Sequence, residues 1–123
     1  MLVFIGVPAV ALFLGACGSS GGGSASNQTK VATNGKVDVN AHDIYFDVHT
    51  IKATAGPLTI TLHEDGSQPH TFTMDKPQHF EIKVSPGSST ASGSINLRPG
   101  SYQFYCSTPG HKAAGMKGTI EVS

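Results

Sequence analysis

The sequence predicts an all-β domain, a sandwich or barrel, and three observations predict it. Apolar and polar residues alternate with period two in run after run, and no segment shows the helical period. Turn signals separate the runs: Ala55-Gly56-Pro57, Glu64-Asp65-Gly66, Ser85-Pro86-Gly87 and Arg98-Pro99-Gly100. The runs are short and closely spaced, as strands packed in two layers are.

In chain order, the first segment is MLVFIGVPAVALFLGAC, which carries no charge and ends in small residues. Its apolar run, Leu2 to Leu14, is too short to span a bilayer as a mature helix and reads as the core of a signal peptide over 1–16. Leu14-Gly15-Ala16-Cys17 resembles a bacterial lipobox, so Cys17 is the candidate lipidation site, although no Lys or Arg precedes the apolar run. An ordinary N-terminus with an incidental cysteine is the alternative. Residues 17–35 are rich in Gly and Ser and read as a flexible tether, with a reach on the order of a few tens of ångströms. The folded domain is expected over 36–123, about ninety residues, which suffices for one independent core. The expected location is extracytoplasmic: lipid-anchored at the outer face of a bacterial cell membrane, or periplasmic.

The strands follow. Lys36 to Asn40 alternates weakly, and the next run puts Ile44, Phe46 and Val48 on one side. Leu58, Ile60 and Leu62 form an inward row, then His70, Phe72 and Met74, then Phe80, Ile82 and Val84. Ile95 and Leu97 precede the Arg98-Pro99-Gly100 turn. Tyr102 and Phe104 alternate after it, and Gly118, Ile120 and Val122 form the last inward row. Cys106 shares parity with Tyr102 and Phe104, and Met116 leads the row of the final strand. His70, Cys106 and Met116 therefore point toward one end of the domain, where strands give way to loops.

Charge excludes some functions. Eight acidic and eight basic residues balance, which argues against a nucleic-acid partner, since that needs a basic face for phosphates. No nucleophile triad or paired carboxylates suggest an enzyme. If Cys17 is lipidated, Cys106 is the single thiol of the mature domain and has no internal disulfide partner. A Cys17–Cys106 disulfide is the alternative for an exported chain.

The stretch FYCSTPGHKAAGM puts a thiol, an imidazole and a thioether in one loop, with four residues between Cys106 and His111 and four between His111 and Met116. Thiolate and imidazole hold Cu(II), thiolate and thioether hold Cu(I), and a His₂Cys set with a weak axial Met serves both states. The second imidazole must come from another strand, and His70 is the candidate. His63 is its rival but precedes the Glu64-Asp65-Gly66 turn. His42, His49, His63 and His79 read as surface residues. Taken singly, Cys106 is as easily a buried thiol, His111 a surface histidine and Met116 a core residue.

From about Lys36 to Ser123 the chain resembles the cupredoxins, the blue-copper family that includes plastocyanin, azurin and rusticyanin. The resemblance rests on His70 in GSQPHTF and on the Cys106, His111 and Met116 loop before the last strand, whose spacing is closest to the rusticyanin and sulfocyanin pattern. It implies a Greek-key β-sandwich of seven to eight strands holding one mononuclear type 1 copper. It also implies a monomeric, non-enzymatic electron carrier that exchanges electrons with a cytochrome or oxidase by transient docking at the His111 edge. In this reading Lys112 and Lys117 offer mild steering of an acidic partner, and Phe72, Tyr102 and Phe104 surround the copper. A copper storage, delivery or sensing module is the alternative function. Many family members carry Asn after the first His; here Thr71 stands in its place, and Thr71→Asn is expected to change the reduction potential. One loop cysteine excludes a binuclear copper centre, and the chain length excludes the second cupredoxin domain of a nitrite reductase.

Overall fold

The computed structural model describes residues 28–87 and 89–123. The signal segment, Cys17 and most of the tether lie outside the described residues. Ten strands form two facing sheets, and no helix occurs among the described residues. The strands are β1 (Thr29–Val31), β2 (Lys36–His42), β3 (Tyr45–Phe46), β4 (Thr50–Ala53) and β5 (Gly56–Glu64), then β6 (His70–Met74), β7 (Phe80–Val84), β8 (Thr90–Leu97), β9 (Gly100–Tyr105) and β10 (Lys117–Val122). One sheet runs β1-β4-β10-β9-β6-β7 and the other β3-β2-β5-β8. This is the expected all-β Greek-key sandwich.

The alternation correctly assigned most inward faces. Leu58, Ile60, Leu62, Phe72, Met74, Ile82, Val84, Ile95, Leu97, Phe104, Ile120 and Val122 are all buried in one core. Phe72 and Phe104 stack at 4.5 Å between centroids, and Phe46 meets Phe104 edge-on at 5.5 Å. These rings join the two sheets beneath the ligand end.

Four expectations need correction. The folded unit begins before Lys36, because β1 pairs in parallel with β4 through Thr29↔Thr50 and Val31↔Lys52. Ten strands replace seven to eight, since β1 and β4 are too short to show alternation. Ile44 does not share the inward face of Phe46 and Val48. It lies at the apex of the β2–β3 hairpin, where His42 pairs with Tyr45, and is 37 % exposed. Tyr102 is half-buried on β9, four residues before Cys106, and its hydroxyl donates to the Arg98 carbonyl at 2.8 Å, so it braces the β8–β9 turn instead of surrounding the loop.

The first half of β8 has no apolar row because Gly93 stands on the inward face. A Cβ there would meet the Phe80 ring at 3.0 Å. On the outer face, hydroxyl pairs cross from β5 to β8: Thr59 to Ser94 at 2.7 Å and Thr61 to Ser92 at 2.9 Å.

Lys30 fastens β1 to the body of the domain. Its ammonium donates to Asp47 at 2.6 Å and to the Asp38 carbonyl at 2.7 Å, while Asp47 also accepts from the Asn40 backbone and side chain. Partial burial works against ionisation of Asp47, but the hydrogen bonds from Lys30 and Asn40 and the Lys30 charge outweigh it and hold the carboxyl below the usual carboxylate range. A depressed folded-state pKa stabilises the fold above the unfolded value, and that contribution is lost as pH falls through the folded one. Thermal melts are therefore expected to decline on acidification below about pH 4, and Asp47→Asn to flatten the decline. An unchanged slope in the variant would count against this tie.

Candidate metal centre

The loop from Cys106 to Met116 joins β9 to β10, and the hairpin register sets its ends. Lys117 pairs with Tyr105, and one step further the Cys106 amide donates to the Met116 carbonyl at 3.0 Å. Directly opposed residues of an antiparallel pair share a face. Cys106 and Met116 both turn inward, and both are fully buried.

Between them the loop folds into one compact turn. The His111 amide donates to the Thr108 carbonyl and the Met116 amide to the His111 carbonyl, each at 3.0 Å. Gly110 and Gly115 have φ of 83° and 104°, where a Cβ is disfavoured, so two glycines let eleven residues close tightly. His70 begins β6, and Pro69 before it is held to the loop by the Thr108 hydroxyl at 3.0 Å.

Three of the four expected ligands converge with their donor atoms. The Cys106 sulfur lies 3.5 Å from Nδ1 of His111 and 4.0 Å from Nδ1 of His70. All three donor atoms fall within 4.8 Å of one another. His70 and Cys106 are fully buried and His111 is 4 % exposed. The outer nitrogens are also bound: Nε2 of His70 to an Asp43 carboxylate oxygen at 2.9 Å, and Nε2 of His111 to the Gln68 carboxamide oxygen at 3.0 Å. Both partners accept, so each ring carries its proton on Nε2 and presents an Nδ1 lone pair to the sulfur side. Two imidazoles, a thiol and a buried thioether on one face form a donor set that fits one type 1 copper.

Thr71 takes the place expected of Asn, and its bonds explain how the two ligand segments are joined. Its amide donates to the Cys106 sulfur at 3.4 Å, and its hydroxyl oxygen accepts the Ser107 amide at 2.7 Å. The same oxygen lies 2.9 Å from the Thr73 and Ser107 hydroxyls, which both donate to Glu81 at 3.1 Å. Desolvation opposes ionisation of Glu81, but bonds from Lys83, Ser107 and Thr73 keep its carboxyl below the ordinary range. Thr71→Val is expected to cost about 1–3 kcal/mol in a denaturant melt, because the Ser107 amide loses its partner. Thr71→Asn should recover part of that loss. A neutral Val variant would show that the joint is carried elsewhere.

The remaining histidines stay outside this cluster. His63 pairs with Asp38 at 2.9 Å on the outer face of β5, and His42 stacks on Tyr45 at 4.7 Å, half-buried rather than open. His49 and His79 are exposed. The edge of His111, the expected docking point, is 4 % exposed and has its outer nitrogen bonded to Gln68. Asp43, Glu64 and Gln68 were not singled out from the sequence. They lie in turn-like polar stretches, and only the fold brings them to the imidazoles.

A family model described as "Cupredoxin-like domain" matches residues 8–122. No curated protein matches the sequence. Among solved structures, the chain is similar to dithionite-reduced auracyanin from the photosynthetic bacterium Roseiflexus castenholzii (TM-score 0.67, 18% identity, covering 75% of this chain and 98% of that one). It is also similar to rusticyanin from Thiobacillus ferrooxidans (TM-score 0.60, 21% identity, 77% and 82%) and to a mutant fern plastocyanin (TM-score 0.56, 24% identity, 71% and 100%).

Proposed function

The chain belongs to the cupredoxin-like family, and from that premise we propose that it is a one-electron carrier holding a single copper on His70, Cys106, His111 and Met116. The observation that carries this reading is the convergence of the Cys106 sulfur and two imidazole Nδ1 atoms, all buried, with both outer nitrogens already bonded to protein. When bound, copper supplies a centre that takes up and gives back one electron. The chain's part is to hold the donors still. Ring rotation at His70 and His111 is blocked by Asp43 and Gln68, and the joint at Thr71 keeps the two ligand segments in fixed register. Donors braced in this way change little between oxidation states, which favours electron exchange. Metal hand-over would favour open, mobile donors, so a storage or delivery role fits the burial less well.

The proposed docking face is the loop around His111, where Pro109, Gly110, Ala113 and Ala114 are small, uncharged and exposed. Gln68 is bonded to the outer nitrogen of His111 there, so its carboxamide would stand beside the imidazole at the face of a docked partner. Lys112 lies over the Tyr105 ring at 4.2 Å and with Lys117 gives the face a mild positive rim for an acidic partner such as a cytochrome or oxidase. A small transient interface suits rapid turnover of partners. Lipidation of Cys17 and a flexible tether would keep this monomeric domain at the outer face of the membrane.

The test is to add Cu(II) to the purified domain, record the visible and EPR spectra, and follow voltammetry and electron exchange with a soluble cytochrome. An intense blue band, a reversible one-electron wave and retention of copper against a chelator during exchange are expected. Rapid surrender of copper to the chelator, without a reversible wave, would favour the delivery role and overturn the carrier.

A further inference from the structure

Behind His70, on the side away from Cys106, two carboxylates meet the same ring nitrogen. Asp43 Oδ1 is 2.9 Å from Nε2, and Glu64 Oε1 is 3.7 Å from it. Their settings differ. Asp43 is partly exposed and well supplied with donors: the Ser67 amide at 2.7 Å, the Ser67 hydroxyl at 2.6 Å and the Gln68 amide at 3.2 Å. The Glu64 side chain is 3 % exposed, its Oε1 accepts the Gly66 amide at 2.9 Å, and its Oε2 is buried with no hydrogen-bond partner. His70 is the only basic side chain within 4 Å of it among the described residues.

A buried carboxylate with an orphan oxygen is costly unless positive charge lies near. The chain goes further to keep this arrangement. Gly66 leaves room for the Asp43 carboxylate, because a Cβ there would overlap it, with the carboxyl carbon at 2.7 Å. Glu64, Gly66, Ser67 and Asp43 come from the end of β5, the following turn and the β2–β3 turn, so three segments together hold two acids against one imidazole.

We propose that Asp43 and Glu64 are positioning residues that act on the copper through His70, holding its Nδ1 toward Cys106 and biasing the centre toward the oxidised state. This inference rests on the copper reading of the site. Cu(II) carries one more positive charge than Cu(I), so negative charge across the imidazole stabilises the oxidised form more. The Asp43 carboxylate, hydrogen-bonded to the outer nitrogen, also makes the ring a stronger donor, which again favours Cu(II), while Glu64 at 3.7 Å acts by its charge alone. Glu64 contributes more per charge because it is screened from water, whereas the charge of Asp43 is shared among three other donors.

The test uses copper-loaded wild type, Glu64→Gln and Asp43→Asn, with Glu121→Gln, four residues along β10 from the loop, as a control for loss of one charge. Glu64→Gln is expected to shift the Cu(II)/Cu(I) affinity ratio about tenfold toward Cu(I). For one electron that raises the midpoint potential by about 59 mV. Asp43→Asn should move it less, in the same direction, and Glu121→Gln should leave it unmoved. A purely structural role would lower the melting temperature and leave the potential alone. The inference is overturned if the blue band is intact but the potential stays put in both variants, or if Glu121→Gln moves it equally. If Glu64→Gln does not fold, Asp43→Asn decides by the same sign. A wild type that takes up no copper with a blue band would instead defeat the copper reading itself.

Discussion

Cys106→Ser is expected to abolish the blue thiolate-to-copper absorption entirely while leaving the apo fold in place. The Cys106 sulfur is fully buried, 3.5 Å from His111 Nδ1, 3.4 Å from the Thr71 amide and 4.0 Å from His70 Nδ1. A serine hydroxyl occupies nearly the same space and finds the same imidazole and amide as partners, so the stability cost should be about 1 kcal/mol. The electronic change is far larger. A thiolate is a soft, easily ionised donor that suits both copper states, and a neutral hydroxyl is neither. Two imidazoles and a buried thioether remain, so Cu(II) held by the variant should be pale and Cu(I) weakly bound. The visible spectrum and copper titration decide it: blue colour persisting in Cys106→Ser would mean that the thiolate is not the ligand and would remove the basis of the proposed function.

Phe104→Ala is expected to be the most destabilising single truncation in the core, about 3–5 kcal/mol. The ring is 1 % exposed, stacks on Phe72 at 4.5 Å and meets Phe46 edge-on at 5.5 Å, so its loss opens a cavity between the two sheets. Gly118 stands opposite it in the β9–β10 register, and its Cα lies so close that a Cβ would overlap both the Phe104 ring and the His49 carbonyl. No larger neighbour is available there to fill the space. A small domain has a total stability of only about 5–15 kcal/mol, so the melting temperature should fall by roughly 20 °C. The chain has no tryptophan, so circular dichroism is the suitable probe. Phe104→Leu should lose much less. Because Phe104 lies two residues before Cys106, the truncation should also broaden the EPR signal of the loaded protein. A loss below about 1 kcal/mol would show that the sheets close over the gap unaided.

Most of the inward faces, and the inward direction of His70, Cys106 and Met116, were legible because pleat parity is local. Every second residue of β5, β6, β7, β9 and β10 turns to the core whatever the partner strand. Parity also carried Cys106 to the end of its row and started Met116 on the next one. It failed where strands are too short for a pattern, as at β1 and β4, and at a hairpin apex, as at Ile44, where the pleat is interrupted. It was silent on the first half of β8, where Gly93 stands in for a side chain because Phe80 fills the space from another strand.

Donor types, their spacing and the two-layer β architecture follow from residue chemistry and a two-residue period, and so are readable along the chain. What stands behind the donors follows from how distant segments fold together. Asp43, Glu64 and Gln68 are separated from the ligands they contact by 27, 6 and 43 positions. No periodicity links a turn between β2 and β3 to the start of β6. Which polar group caps an imidazole depends on how two sheets and their turns close on each other. That closure buries one carboxylate with an oxygen unpartnered and brings Gln68 to the outer nitrogen of His111, and the proposed tuning of the centre rests on it.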